Sequence, residues 1–193
     1  MIKRESLLSL ETYARERNAF RAKVLAHKKN RTVHLGGHVT LQFEDELTIR
    51  YQVQEMLRIE RIFEEAGIRG ELEAYNPLVP DGANWKATML IEYPDADERR
   101  RMLAKLKGIE RATWVQVAGC ERVHAIADED LERETEEKTS SVHFLRFELD
   151  ATMRGRLHAG ATLSMGIDHP QYRASLVVAD EVRAALMADL QKH

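Results

Sequence analysis

The sequence predicts an α+β fold: a mostly antiparallel sheet of about eight strands with a long N-terminal helix, a long central helix and a C-terminal helix. Three observations carry the prediction. Short runs of alternating apolar residues recur from Val33 to Val178, the period of half-buried strands. Tight-turn residues join neighbouring runs, which favours antiparallel pairing over the crossovers of a doubly wound sheet. The remaining long stretches carry helical spacing instead.

Ser6 is placed to cap a first helix running to about His27. Within it Tyr13, Phe20, Val24 and His27 fall at spacings that put them on one stripe. The basic run His27-Lys28-Lys29 lies where cations favour the negative helix end. Val33 and Leu35, then Val39, Leu41 and Phe43, read as two strands, with Gly36-Gly37 as the hairpin turn. On this reading His34 and His38 point away from the apolar face.

Asp45, with Thr48 three residues on, caps the central helix, Leu47 to Ala66, which Gly67 ends. A short turn at Glu71 to Tyr75 leads into the loop Asn76-Pro77-Leu78-Val79-Pro80-Asp81-Gly82. Ala87 to Tyr93 alternates as a strand, and Asp95 to Lys107 is a charged helix. Val115-Val117 and Val123-Ala127 form a hairpin around Ala118-Gly119-Cys120-Glu121, and Asp128 to Glu137 is an acidic connection. Strand Ser141 to Leu149, a short helix Ala151 to His158, strands at Leu163 to Ile167 and Tyr172 to Val178, and a helix Asp180 to Leu190 complete the chain. The whole, residues 1–193, reads as one α+β domain. A subdivision near 76–84 would separate a helical N-terminal part from a sheet-rich C-terminal part.

Composition narrows the class. Of 193 residues, 44% are apolar and 32% charged, a globular balance. Lys and Arg total 29 against 32 Asp and Glu, so no global charge draws the chain to nucleic acid or to an anionic membrane. Cys120 is the single cysteine, which excludes an internal disulfide and a CxxC metal site. No apolar stretch approaches the roughly 18 residues a membrane span needs. Glu5 stands where the apolar run of a signal peptide would begin. The expected compartment is therefore the reducing cytoplasm.

The central helix is less simple than its length suggests. At about 100° per residue, Arg50, Gln54, Arg61, Glu64 and Glu65 form the water-facing arc. Gln52 and Glu55 fall beside Met56, Ile59 and Phe63 on the face expected to meet the core. A buried carboxylate needs a partner, and Arg58, three residues on, is within reach. Two readings follow. The favoured one is an Arg58–Glu55 pair with a Gln52 hydrogen bond fixing how the helix docks; the other is a ligand or metal site built on Glu55 and Gln52.

The same stretch carries a resemblance. Phe43-Glu44-Asp45, Arg50-Tyr51-Gln52, Gln54-Glu55-Met56, Arg58, Glu60 and Tyr75-Asn76-Pro77-Leu78 resemble the bacterial domain-of-unknown-function family 3501. Ala127-Asp128-Glu129-Asp130-Leu131 and Phe144-Leu145-Arg146-Phe147 extend the resemblance over the whole chain. It implies a context: such proteins are often encoded beside rubrerythrin-like proteins and iron–sulfur oxidoreductase subunits, which points to peroxide or redox metabolism. It carries over no catalytic residue, and it draws attention to Gln52, Glu55, Arg58 and Asn76.

With eight histidines, a site joining Glu55 to His27 or His143 would suit iron or zinc; a core histidine bonded to backbone is the favoured alternative. Glu121 and His124 have ExxH spacing, but on a strand they face opposite sides. No Gly-x-Ser-x-Gly elbow, P-loop or Rossmann glycine pattern occurs. Cys120 has Glu121 beside it, which opposes thiolate formation. The basic clusters at His27 to Arg31 and Arg99 to Arg101 read as solvated charge, with nucleic-acid binding the minority reading. The expectation is a non-catalytic accessory or interaction protein, with a homodimer among its assembly states. A metal- or small-ligand-binding enzyme and a nucleic-acid-associated regulator are the alternatives.

Overall fold

The computed structural model describes residues 1–191 and has the predicted α+β architecture. Its helices are α1 (Leu10–Lys29), α2 (Glu46–Ile59), α3 (Glu65–Tyr75), α4 (Ala96–Lys105), α5 (Ala151–His158) and α6 (Asp180–Met187). Its strands are β1 (Thr32–Leu35), β2 (Val39–Glu44), β3 (Asn84–Ile91), β4 (Thr113–Val117), β5 (Arg122–His124), β6 (Ile126–Ala127), β7 (Val142–Glu148), β8 (Leu163–His169) and β9 (Tyr172–Val177). Every pairing is antiparallel. One sheet has the order β1-β2-β3-β7-β6 and the other β5-β4-β8-β9.

The inner faces of the two sheets share one apolar core, with Phe43, Trp85 and Phe147 from the first and Val115, Met165 and Ile167 from the second. Alternation puts these residues on one face of each strand. Trp85 donates its indole N–H to the Leu186 carbonyl at 2.9 Å, which seats α6 against the sheet. Tyr172 of β9 donates to the Leu35 carbonyl at 2.6 Å and accepts from the His38 amide at 3.1 Å. It thus ties the β1–β2 hairpin to the second sheet. Gly36 at that turn has φ +71°, and a Cβ there would lie 2.6 Å from the Tyr172 hydroxyl. The turn therefore needs glycine twice over.

A second apolar cluster lies outside this core. Ile2 and Leu7 of the N-terminal segment meet Ile49, Val53 and Leu57 of α2 and Ile68 and Leu72 of α3. Two side-chain amides pin the segment in place. Asn76 accepts from the Ile2 amide at 2.8 Å and donates to its carbonyl at 3.1 Å. Gln54 does the same at Leu8, accepting at 2.6 Å and donating at 3.4 Å.

Four expectations about the helices and strands are corrected. Ser9, not Ser6, caps α1, accepting from the Thr12 amide at 3.2 Å; Ser6 ends a preceding 3-10 turn. The central helix does not run to Gly67. The Asp45–Thr48 capping box opens α2 as expected, but α2 stops at Glu60. Arg61 takes φ 54° and the Ile62 amide bonds the Leu57 carbonyl at 2.9 Å, the Schellman arrangement with arginine in place of the usual glycine. Gly67 lies inside α3, where a Cβ would meet Ile62 Cγ2 at 2.6 Å. Finally, the expected strand Val123–Ala127 divides at Ala125 between the two sheets, which makes nine strands among the described residues rather than eight.

Candidate functional site

The helical wheel is also corrected. The buried face of α2 is Ile49, Val53 and Leu57, with Thr48 and Gln54 beside them. Gln54, expected in water, is 1% exposed because it clamps Leu8. Ile59 and Phe63, expected in the core, are 57% and 74% exposed. Apolar residues cover both sides of this helix, and tertiary packing chooses the side that is buried.

Glu55 consequently faces α1 rather than the core. Its Oε1 accepts from the Tyr13 hydroxyl at 2.6 Å and from Arg17 Nε at 2.7 Å, and its Oε2 accepts from Arg17 Nη2 at 2.8 Å and Arg58 Nη2 at 3.2 Å. The Arg17 pair is a two-point fork, the strong geometry for guanidinium and carboxylate. Arg17 lowers the Glu55 carboxyl to about 2, and the Tyr13 and Arg58 donors add to the effect. Burial, with the Glu55 charge beside it, pushes the Tyr13 phenol up. Phe20 stacks edge-on against Tyr13 and Tyr51, with ring centroids 6.0 Å apart in each pair. The cluster joins α1 to α2 through a saturated carboxylate. Gln52 is half-buried on the same helix, and its side chain makes no hydrogen bond among the described residues.

The expected metal set does not converge. His27 Nε2 lies 2.5 Å from Asp45 Oδ2. His143 belongs to another network: Nδ1 lies 2.5 Å from Asp128 Oδ2, and Nε2 lies 3.0 Å from Thr139 Oγ1 and 3.1 Å from the Ser140 carbonyl. Glu55 has both oxygens taken by arginines and a tyrosine. Among the described residues, no group of three or more His, Cys, Asp or Glu side chains is placed to hold a metal ion. Glu55, His27 and His143 therefore do not fit an iron or zinc centre.

The Asp128–His143–Thr139 line has the residue order of a nucleophilic relay, yet His143 is fully buried and Thr139 is 1% exposed. No substrate reaches that hydroxyl without local opening. Asp128 has φ 52° and also accepts from the Phe144 amide at 3.0 Å. The line acts as a tie between the acidic connection and β7.

Arg31 is a further residue that the sequence misplaced. Expected within a solvated basic run, it is 2% exposed. It donates to the carbonyls of Phe43 at 3.1 Å, Glu44 at 3.2 Å and Ala185 at 3.3 Å, and pairs with Asp189. Burial pushes the Asp45 carboxyl up, but the nearby Arg31, the Thr48 amide and His27 outweigh it and the net direction is down. At Asp189 burial wins over Arg31 and the carboxyl is raised. With Arg31 inside, the surface run is shorter than the sequence suggests.

The profile of the family described as "Protein of unknown function (DUF3501)" matches residues 1–190. The chain belongs to the DUF3501 family. No curated protein matches the chain. A solved structure from Burkholderia pseudomallei K96243, described as a novel protein of unknown function, is 55% identical. Their TM-score is 0.93, and the alignment covers 98% of this DUF3501 chain and 99% of that one. No helix among the described residues is long and apolar enough to cross a membrane.

The surface the sequence hid lies where α2 ends. Phe63 borders a small hollow of about 100 Å³ with Leu7, Leu10, Leu57 and Ile62, and Ile59, at the end of α2, is exposed. Arg58, Glu60, Arg61 and Glu64 of the same segment are also exposed.

Proposed function

We propose that the protein is a non-catalytic accessory protein that docks on a protein partner through the Ile59–Phe63 corner. The exposure of Phe63 at 74% and of Ile59, four residues before it, at 57% carries the reading. An aromatic anchor with an apolar neighbour and a charged rim is the anatomy of an interface. The alternation of Arg58, Glu60, Arg61 and Glu64 would set register on a polar rim. The family resemblance supplies the partner class: a rubrerythrin-like protein in peroxide or redox metabolism, with an iron–sulfur oxidoreductase as the comparison.

Calorimetric titration against both proteins tests the reading. Saturable binding to the rubrerythrin-like protein is expected. Burying the two side chains is worth about 2 kcal/mol or more, so Ile59→Asp/Phe63→Asp should weaken Kd by ~30-fold or more. Unchanged affinity in the double variant would overturn the reading. So would concentration-dependent dimers in light scattering that this variant abolishes, because a second copy would then occupy the corner.

A further inference from the structure

The turn between α4 and β4 is tight: the Arg111 and Ala112 amides both bond the Gly108 carbonyl, at 3.1 and 3.2 Å. It buries Ile109 in the core, and it also buries the next residue, Glu110, which is 2% exposed. A carboxyl group withdrawn from water needs a donor. Glu110 Oε2 is buried and has none. Arg111 Nε lies 3.7 Å from Glu110 Oε1, beyond hydrogen-bond distance, on a side chain that is 73% exposed.

Glu110 lines a pocket of about 340 Å³ between this turn and the acidic connection that follows β6. Glu134 accepts from the Gly108 amide at 2.9 Å and so ties the two walls together. The lining has six carboxyl groups against the guanidinium groups of Arg111 and Arg133. Four of the six are matched. Arg133 donates to Asp130 at 2.7 Å from Nη2 and to Asp128 at 3.4 Å from Nη1, and Asp128 also faces His143. Arg146 holds Glu129 in a two-point fork, and Lys107 lies 4.0 Å from Glu134. The side chains of Glu110 and of exposed Glu132 make no hydrogen bond among the described residues. The pocket therefore combines an acidic lining with a dehydrated acceptor that lacks a donor.

We propose that this pocket binds a small organic cation bearing N–H groups, an alkylammonium or guanidinium compound, with Glu110 as its buried acceptor. The acidic lining favours a cation and repels anions. The unmet oxygen of Glu110 asks for a donor as well as a charge, which an ammonium or guanidinium group supplies in one charge-assisted bond. The volume suits a small molecule. Arg111, loosely placed and mostly in water, is the group that the ligand displaces.

Amide NMR shifts of the full ¹⁵N-labelled chain, titrated at constant ionic strength, test the proposal. The probes are butylammonium, methylguanidinium, tetramethylammonium and Mg²⁺. Saturable shifts centred on residues 108–111 and 127–134 are expected with butylammonium or methylguanidinium, and whichever responds more strongly identifies the head group. Tetramethylammonium, which has the charge but no N–H, should leave them in place. Glu110→Gln should weaken binding by about tenfold or more, the loss expected for one charge-assisted hydrogen bond. Arg111→Gln should bind at least as tightly as wild type, because the competing cation is gone; this variant and the wild-type titration decide the matter if Glu110→Gln fails to fold. No saturable shift with either N–H cation would overturn the proposal. So would an equal response to tetramethylammonium, a stronger response to Mg²⁺, unchanged affinity in folded Glu110→Gln, or loss of binding in Arg111→Gln.

Discussion

Replacing Glu55 by Gln removes one charge and keeps the shape of the side chain. Arg17 loses its two-point fork, Arg58 its acceptor charge and Tyr13 its short ionic hydrogen bond. The carboxyl sits at about 2 instead of its ordinary 4.5. At ~1.4 kcal/mol per tenfold change in the protonation equilibrium, that depression corresponds to about 3 kcal/mol of folding stability. The Glu55 side chain is 17% exposed, and solvent screening reduces the expected loss to about 2 kcal/mol. For a chain of this size that is roughly 4–8 °C in Tm. The sign in pH follows from the depressed folded value. The contribution is complete above 4.5, the ordinary value, and is lost as pH falls toward about 2. Urea unfolding of wild type and Glu55→Gln from pH 8 to pH 2.5 is the assay. The gap between them should be level down to about pH 5 and then narrow. A gap below ~0.5 kcal/mol at pH 7, or one that does not change with acid, would refute the idea that Glu55 locks α1 to α2.

Three other outcomes follow from the packing. Arg31→Met should cost about 3–5 kcal/mol in urea unfolding, because Asp189 and three carbonyls lose a buried cation; a loss under 1 kcal/mol would contradict that burial. Gly67→Ala should lower stability by about 1–3 kcal/mol through its clash with Ile62, whereas a gain of the usual helical Ala-for-Gly kind would show that Gly67 is an ordinary helix position. Leu57→Ala, at a residue 2% exposed, should cost about 2–5 kcal/mol in thermal or urea melts, while exposed Phe63→Ser should change stability by less than ~0.5 kcal/mol. Equal effects at the two positions would contradict the burial of Leu57 and the exposure of Phe63.

Much of the fold was legible because local chemistry and tertiary structure agree. Alternation fixed the strand faces, Gly36-Gly37 marked the hairpin, and Asp45 with Thr48 marked the start of α2. His143 shares parity with Leu145 and Phe147 and is buried as that parity implies. The failures have a common cause: each depends on a distant partner. An arginine in the left-handed conformation ends α2, and nothing local distinguishes Arg61 from a mid-helix arginine. Spacing alone makes Met56-Ile59-Phe63 look as apolar a stripe as Ile49-Val53-Leu57, but α2 ends before Phe63 and the N-terminal segment covers the Ile49 side. Gln54 and Arg31 are buried to satisfy backbone groups of Leu8, Phe43, Glu44 and Ala185, and sequence spacing contains no trace of those bonds. The Glu55–Arg58 pair was within reach of helical spacing. Its dominant partner, Arg17, comes from another helix.

The docking account is tested most directly by hydrogen–deuterium exchange on the protein mixed with the rubrerythrin-like partner. Slowed exchange centred on residues 57–65, absent when Ile59 and Phe63 are both replaced by Asp, is the predicted result. Protection confined to another surface, or no protection at saturating partner, would contradict it.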